Sequence, residues 1–278
     1  MNLPPLAADL DAARLRAALA GCPLGLPLEV HAELASTMDR LARLADAGAP
    51  SGAMVIADQQ TAGRGRLGRS WQAEPGQALM FSLLLRPPPA LQSPERLAQL
   101  PMALALGALA ALRLRLPDPS AAALKWPNDL LLAGRKAAGM LTELAWDEAG
   151  PRVIVGLGLN LRQRAFPGLP DATSLALALQ AAVEDEDPRL HRGDLAADLL
   201  RAAAAELARL AGGEALTPRW AAELATLGRW VRVRRLEEDG GVLEGLAEGV
   251  AADGALLLRT EAGVLLQLRA GDVSLSGG

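Results

Sequence analysis

The stretch 63-GRGRLGRSW-71 decides how the rest of the chain is read. Its glycines, Gly63-x-Gly65-x-x-Gly68, match the dinucleotide-binding fingerprint letter for letter. That fingerprint needs a helix to open directly after it, so that the pyrophosphate meets a helix N-terminus. Here the chain continues Gln72-Ala73-Glu74-Pro75-Gly76, which does not make a helix, and arginines fill the positions between the glycines. A doubly wound parallel sheet is therefore not expected. Glycines let the backbone approach a ligand closely. Arginines add fixed charge and forked donors suited to phosphate or carboxylate, and Trp71 offers a flat apolar face. These residues predict a flexible cationic loop that closes on an anion.

Apolar strands at 53–57 and 79–85 flank the loop. Ahead of them, residues 9–20 have helical apolar spacing with Asp9 as cap, residues 28–32 read as a strand, and Ser36-Thr37 offer hydroxyl caps to a helix over 38–47. Residues 97–114 form a central apolar helix. Strands at 123–126 and 130–132 surround Pro127-Asn128-Asp129, and strands at 137–146 and 153–161 meet near Glu148-Ala149-Gly150. Sequence neighbours joined by such short turns pair as hairpins, so the sheet is mixed or antiparallel. A loop at 166–171, a helix at 175–183, a solvated acidic run at 184–187 and helices at 194–210 and 218–227 follow. After Gly228, alternating strands at 230–234, 242–250, 255–260 and 264–269, parted by glycine turns, read as a small β-barrel. The expected fold class is α/β (α+β), with a mixed sheet and helices over 1–227 and a barrel over 228–278.

With 278 residues, 51% of them hydrophobic, the chain can bury one large core and a small satellite. A net charge of −4 argues against a general nucleic-acid binder. Cys22 is the only cysteine, which excludes an intramolecular disulfide and fits a reducing compartment. With only His31 and His191 beside it, a Cys/His zinc cage is not available. The N-terminus carries acids early, unlike a signal peptide, and the apolar stretch 102–112 is shorter than the ~20 residues a membrane span needs. A cytoplasmic protein with no membrane partner is expected.

Three more constellations carry chemistry. In Lys125-Trp126-Pro127-Asn128-Asp129 a strand enters a proline-fixed turn presenting an amide and a carboxylate. The amide suits a ring edge and the carboxylate suits Mg²⁺ or a hydroxyl, though an ordinary Asx-turn reads the same way. In Gly134-Arg135-Lys136-Ala137-Ala138-Gly139, a lysine at a strand edge can meet a phosphate or simply be solvated at a hairpin tip. In Gly156-x-Gly158-x-Asn160, glycines inside a strand mark close approach by a ligand or by another backbone.

Taken in order, GRGRLGRSW with Gln60 before it, KWPNDL, GRKAAGML and GLGLNL resemble the biotin–protein ligase family, also called biotin–[acetyl-CoA-carboxylase] ligases. Ser36-Thr37 and Pro75-Gly76 match as well, and the similarity is strong over residues 28–175 and weaker beyond. The resemblance implies a catalytic domain like that of class II aminoacyl-tRNA synthetases and a C-terminal SH3-like barrel. It implies that biotin and ATP, with Mg²⁺, give biotinyl-5′-AMP, and that a lysine of a biotin carboxyl carrier protein or domain then takes the biotin. Lys136 and Arg66 are the expected catalytic cations at the α-phosphate, assisted by Arg64 and Arg69. Trp71 is expected on the adenine, Asn128 and Asn160 on the nucleotide, and Asp129 on Mg²⁺. Ser36, Thr37 and Gln60 are expected at the ureido end of biotin, with Gly63, Arg64, Arg66, Gly139, Gly156 and Gly158 along the rest of it.

Two departures stand out. Met38 follows Ser-Thr where many relatives have Asn, and the chain ends Ser274-Leu275-Ser276-Gly277-Gly278 without the basic residue relatives often carry there. Too few residues precede the match for a winged helix, so no operator binding is expected. Relatives use a sheet edge for docking or dimerising, which leaves homodimerisation open. The rival readings are a lipoate or octanoate ligase, disfavoured because those families lack the GRGRLGRSW loop; a nucleic-acid module; and a degenerate ligase that only binds its ligand.

Overall fold

A computed structural model describes residues 8–180, 187–234 and 241–275. The chain opens with a short 3-10 turn, Ala8–Leu10, and α1 (Ala12–Ala18). Asp11 caps α1 by accepting from the Arg14 backbone N–H. The expected cap, Asp9, is instead drawn into an ion cluster, because Asp11 sits where the helix begins. β1 (Leu28–Leu34), α2 (Thr37–Asp46), β2 (Met54–Gln60) and β3 (Ala78–Leu85) follow. One turn of helix, α3 (Pro94–Leu97), precedes the long α4 (Leu100–Arg113). Strands β4 (Ala122–Lys125), β5 (Asp129–Leu132), β6 (Arg135–Asp147) and β7 (Gly150–Asn160) complete a seven-stranded sheet of order β1-β2-β3-β7-β6-β5-β4. Only β1 and β2 pair in parallel, so the sheet is mixed, as the short turns require.

α5 is a single turn, Leu175–Ala178, shorter than the expected helix over 175–183, and Glu184, Asp185 and Glu186 lie outside the described residues. α6 (Arg192–Ala211) and α7 (Thr217–Ala222) close the larger unit. α7 stops before the expected residue 227 because the chain turns to lie beside β4: Leu124 N donates to Glu223 O, and Ala225 N to Leu124 O. The last strands, β8 (Trp230–Arg234), β9 (Val242–Val250), β10 (Leu256–Arg259), β11 (Leu265–Leu268) and β12 (Asp272–Leu275), form a five-stranded antiparallel sheet of order β11-β10-β9-β8-β12. β12 was not foreseen; it closes onto β8.

The main core lies between one face of the sheet and helices α4 and α6. Residues 94–113 match a membrane span in length and apolarity, yet 67% of that window is buried inside the protein. The other face carries a smaller core under α2, made of Met38, Leu41, Ala45, Ala53, Val55, Leu84 and Ile154. Trp126 pins the barrel to the sheet: its indole N–H donates to Gly254 O at 2.9 Å, and its backbone N–H to Thr226 Oγ1 at 3.0 Å.

Candidate active site

On the α2 face, β3, β7 and β6 run side by side. Ser82 and Met80 sit opposite Gly156 and Gly158, which in turn sit opposite Leu141 and Gly139. The result is a shallow trough. A Cβ on Gly156 would stand 2.9 Å from Met38 Sδ, and one on Gly158 would stand 2.4 Å from Trp71 Cε2. Both glycines are therefore needed for close approach, and their neighbours are Met38 and Trp71. Met38 does not serve as a polar group; it is buried, with its thioether over Gly156.

The start of α2 forms one wall. Ser36 caps the helix through its hydroxyl, accepting from Asp39 N at 3.4 Å. Thr37 donates to Gln60 Oε1 from its backbone N–H at 2.8 Å and from its hydroxyl at 3.2 Å. The same hydroxyl lies 2.8 Å from Ser82 Oγ. The three residues expected at the ureido group are thus brought together, joined by Ser82, which sequence reading had not placed in the site. A lone hydroxyl in the apolar strand ALMFSLLL was the available signal.

The arginine loop folds back on itself rather than trailing freely. Trp71 N donates to Gly63 O at 2.9 Å and Gly65 N to Arg69 O at 2.7 Å, with Leu67 (φ 62) and Gly68 (φ 70) at the tip. A Cβ on Gly63 would strike Trp71 O at 2.3 Å. Each arginine has a partner on another element. Arg64 pairs with Asp39 at 2.6 Å and with Glu143 at 3.0 Å. Arg66 donates to Asn128 Oδ1 at 3.1 Å and to Gly271 O at 3.3 Å. Arg69 pairs with Asp272 of the barrel. Burial pushes the Arg66 guanidinium below its usual range, opposed by the charges of Asp129 and Asp272. Burial would raise Asp272, but Arg69, Lys125 and Lys136 hold it below the ordinary carboxylate value. Trp71 lies against Gly158, and its buried indole N–H has no hydrogen-bond partner among the described residues.

Lys136 enters from the opposite side. Ala133 (φ 47) and Gly134 (φ 76) make the tight turn between β5 and β6, a geometry that both left-handed residues supply. A bulge then sets Lys136 opposite Leu131. Its backbone is fixed by Asp171 O at 2.7 Å and Thr173 N at 2.8 Å. Its ammonium lies 2.7 Å from Asp129 Oδ1, and the pair sits over Gly139. Asn128 also donates to Met140 O. Asn160 is buried and donates to Thr173 O at 3.0 Å, so it meets Lys136 only through the backbone of Thr173. A groove of 490 Å³, lined by Arg66, Asn128, Met102, Thr142 and Arg269 among others, opens between α3–α4, the sheet and the barrel beside this cluster.

The site is thus a glycine trough on a mixed sheet, with hydroxyl and amide groups at one end and a lysine with arginines at the other. Residues 31–160 match the biotin/lipoate A/B protein ligase family, and residues 226–276 match the biotin protein ligase C-terminal domain. The chain is 36% identical over 270 residues to biotin–[acetyl-CoA-carboxylase] ligase of Mycobacterium tuberculosis, covering 95% of each chain. The structure is similar to biotin protein ligase from Aquifex aeolicus in complex with biotin and ATP, with a TM-score of 0.72, 31% identity, and coverage of 90% of this chain and 99% of that one. It is also similar to the Leishmania major biotin protein ligase in complex with biotinyl-5-AMP, with a TM-score of 0.54, 25% identity, and coverage of 87% and 98%. The chain belongs to the biotin protein ligase family.

Proposed function

We propose that this protein is an ATP-dependent ligase that activates biotin as biotinyl-5′-AMP and transfers it to a lysine of a biotin carboxyl carrier domain. The observation that carries this reading is the trough over Gly156 and Gly158, with Ser36, Thr37 and Gln60 at one end and Lys136, Arg66 and Asn128 at the other. A biotin carboxylate oxygen attacks the α-phosphorus of ATP, and pyrophosphate leaves. Anion must approach anion, so fixed cations that stabilise the developing charge lower the barrier. Lys136 and Arg66 fill that role, with Arg64 and Arg69 beside them. Asp129 beneath Lys136 is largely covered, whereas Asp39, Glu143 and Asp272 lie in half-exposed pairs with Arg64 and Arg69. Pairs of that kind are weak, so phosphates can displace them. The carrier amine then attacks the acyl carbon and AMP leaves. No nucleophile from this chain is required.

Ser36, Thr37 and Gln60 suit the ureido oxygen and nitrogens, and Gly63, Gly139, Gly156 and Gly158 suit close passage of the valerate chain. Trp71 borders both halves of the site, and the adenine is assigned to it, with Asn128 and Asn160 on the nucleotide. Among the described residues no group of three or more metal-ligating side chains exists. Asp129 nevertheless fits Mg²⁺, which takes one or two carboxylates and completes its shell from phosphates and water. That ion would neutralise phosphate charge.

The larger unit is assigned to 1–227 and the barrel to 228–278. The outer edge of β6 pairs with β5 only as far as Gly139, which leaves room for the carrier domain of an acetyl-CoA carboxylase or for a second copy of this chain. A net charge of −4 supports a reading without DNA, and ATP as substrate supports a cytoplasmic location. The test is exchange of labelled pyrophosphate into ATP. Exchange that requires biotin supports the reading; exchange driven equally by lipoate, or none at all, refutes it.

A further inference from the structure

A second charged cluster lies away from the reacting groups. Arg192 is fully buried at the start of α6. A helix N-terminus disfavours a cation, so something else must hold it there. Its guanidinium meets Asp9 at 2.6 Å and also pairs with Asp58. Asp9 in turn pairs with Arg162 at 3.0 Å. Arg192 and Asp58 are thus taken out of water together with Asp9 and Arg162 largely covered beside them, an arrangement that rarely favours stability over apolar packing.

The cluster converges on one residue of the backbone. Asp58 Oδ1 accepts from Gly76 N at 2.8 Å, and Arg162 Nη1 donates to Gly76 O at 2.9 Å. Gly76 (φ 79) sits in the Pro75-Gly76 turn closed by Gln77 N to Glu74 O at 3.1 Å. That turn is the exit of the arginine loop. Between it and Trp71, Gln72 and Ala73 make no hydrogen bond among the described residues. The next residue, Gln77, accepts from Leu161 N and Arg162 N at the end of β7. Asp58 itself lies two residues before Gln60, on the strand that carries the Thr37 contact.

We propose that Asp58 and Arg162, held by Arg192 and Asp9, are positioning residues that clamp both backbone polar groups of Gly76 and thereby set Trp71 over Gly158. The inference rests on the biotin ligase reading. The clamp keeps the loop seated while the mixed anhydride waits for the carrier amine. A loosened clamp lets Trp71 lift, weakens biotin binding and lets water or escape consume the adenylate.

One double and one single variant separate the clamp from its charges. Asp58→Val with Arg162→Met removes both bonds to Gly76 and leaves the Arg192–Asp9 pair charge-balanced. Asp58→Asn alone removes a charge but keeps an amide oxygen for Gly76 N–H and leaves Arg162 on Gly76 O. Thermal unfolding is followed for both, and Arg162→Met alone gives the same readout should the first variant not fold. The unclamped variant is expected to raise KM for biotin about tenfold or more, with a smaller change in kcat. It is also expected to release clearly more pyrophosphate than biotin transferred. The amide variant should stay near the wild type in both respects. If the two variants behave alike, with pyrophosphate and transferred biotin remaining equal, the clamp has no positioning role. Failure of the wild-type protein to transfer biotin would instead refute the ligase reading itself.

Discussion

Two clusters of arginine and carboxylate lie on this sheet, and they differ in one respect. Around Arg192 the charges are buried or largely covered and are held by one another and by the backbone of Gly76. Around Arg64 and Arg69 the pairs are half-exposed, Lys136 is half-exposed over a largely covered Asp129, and all of them join separate elements. Burial makes the first set permanent, because removing one partner strands a charge in a dry interior. Exposure makes the second set exchangeable, because water and salt already screen it. The first cluster belongs to the fold and the second to the ligands.

That contrast breaks if stability and activity fail to separate. Arg192→Leu is expected to cost about 3–5 kcal/mol in urea unfolding, since Asp58 loses its counter-ion and Asp9 keeps only Arg162. Lys136→Ala should leave urea unfolding within about 1 kcal/mol of wild type. It should nevertheless slow biotin-dependent pyrophosphate exchange by roughly 10²–10³-fold, the usual cost of losing one group that stabilises transition-state charge. Gly158→Ala places a methyl where the Trp71 ring lies, and KM for biotin should rise about tenfold with little loss of kcat. Asp39→Asn removes one of the two carboxylates on Arg64, and exchange should change by no more than about twofold.

Acid sharpens the same comparison. Burial would raise the pKa of Asp9, but hydrogen bonds and charge from Arg192, with Arg162 beyond, bring it from 3.8 to about 2. A carboxylate with a lowered folded pKa stabilises the fold above its unfolded value and loses that contribution as pH falls through the folded one. The contribution of Asp9 should therefore be complete above pH 3.8 and fade towards pH 2, as read by unfolding at stepped pH. Arg192→Leu should flatten that dependence.

Strand-forming runs were legible because their apolar residues are contiguous and their turns are marked by Gly, Pro and Asn. Loop identity was legible in GRGRLGRSW because glycine and arginine together exclude a core element. Helix ends were less so. Asp9 and Asp11 are both good caps, and only the tertiary pull of Arg192 and Arg162 decides that Asp9 is not one. α7 ends early because β4 offers its backbone a partner, which no local signal announces. In the site, the residue types were readable but not their resting partners. Asp39, Glu143 and Asp272 are ordinary acids until the fold brings them to Arg64 and Arg69.

The most direct measurement mixes the protein with biotin, ATP, Mg²⁺ and a biotin carboxyl carrier domain, then weighs the carrier by mass spectrometry, with Lys136→Ala alongside and lipoate as a competing acid. A biotin-sized gain on the carrier, absent with Lys136→Ala and unaffected by lipoate, is the predicted result. An unchanged carrier mass, with biotin still bound by the protein, would contradict the account and mark the chain as a ligand-binding protein that no longer transfers.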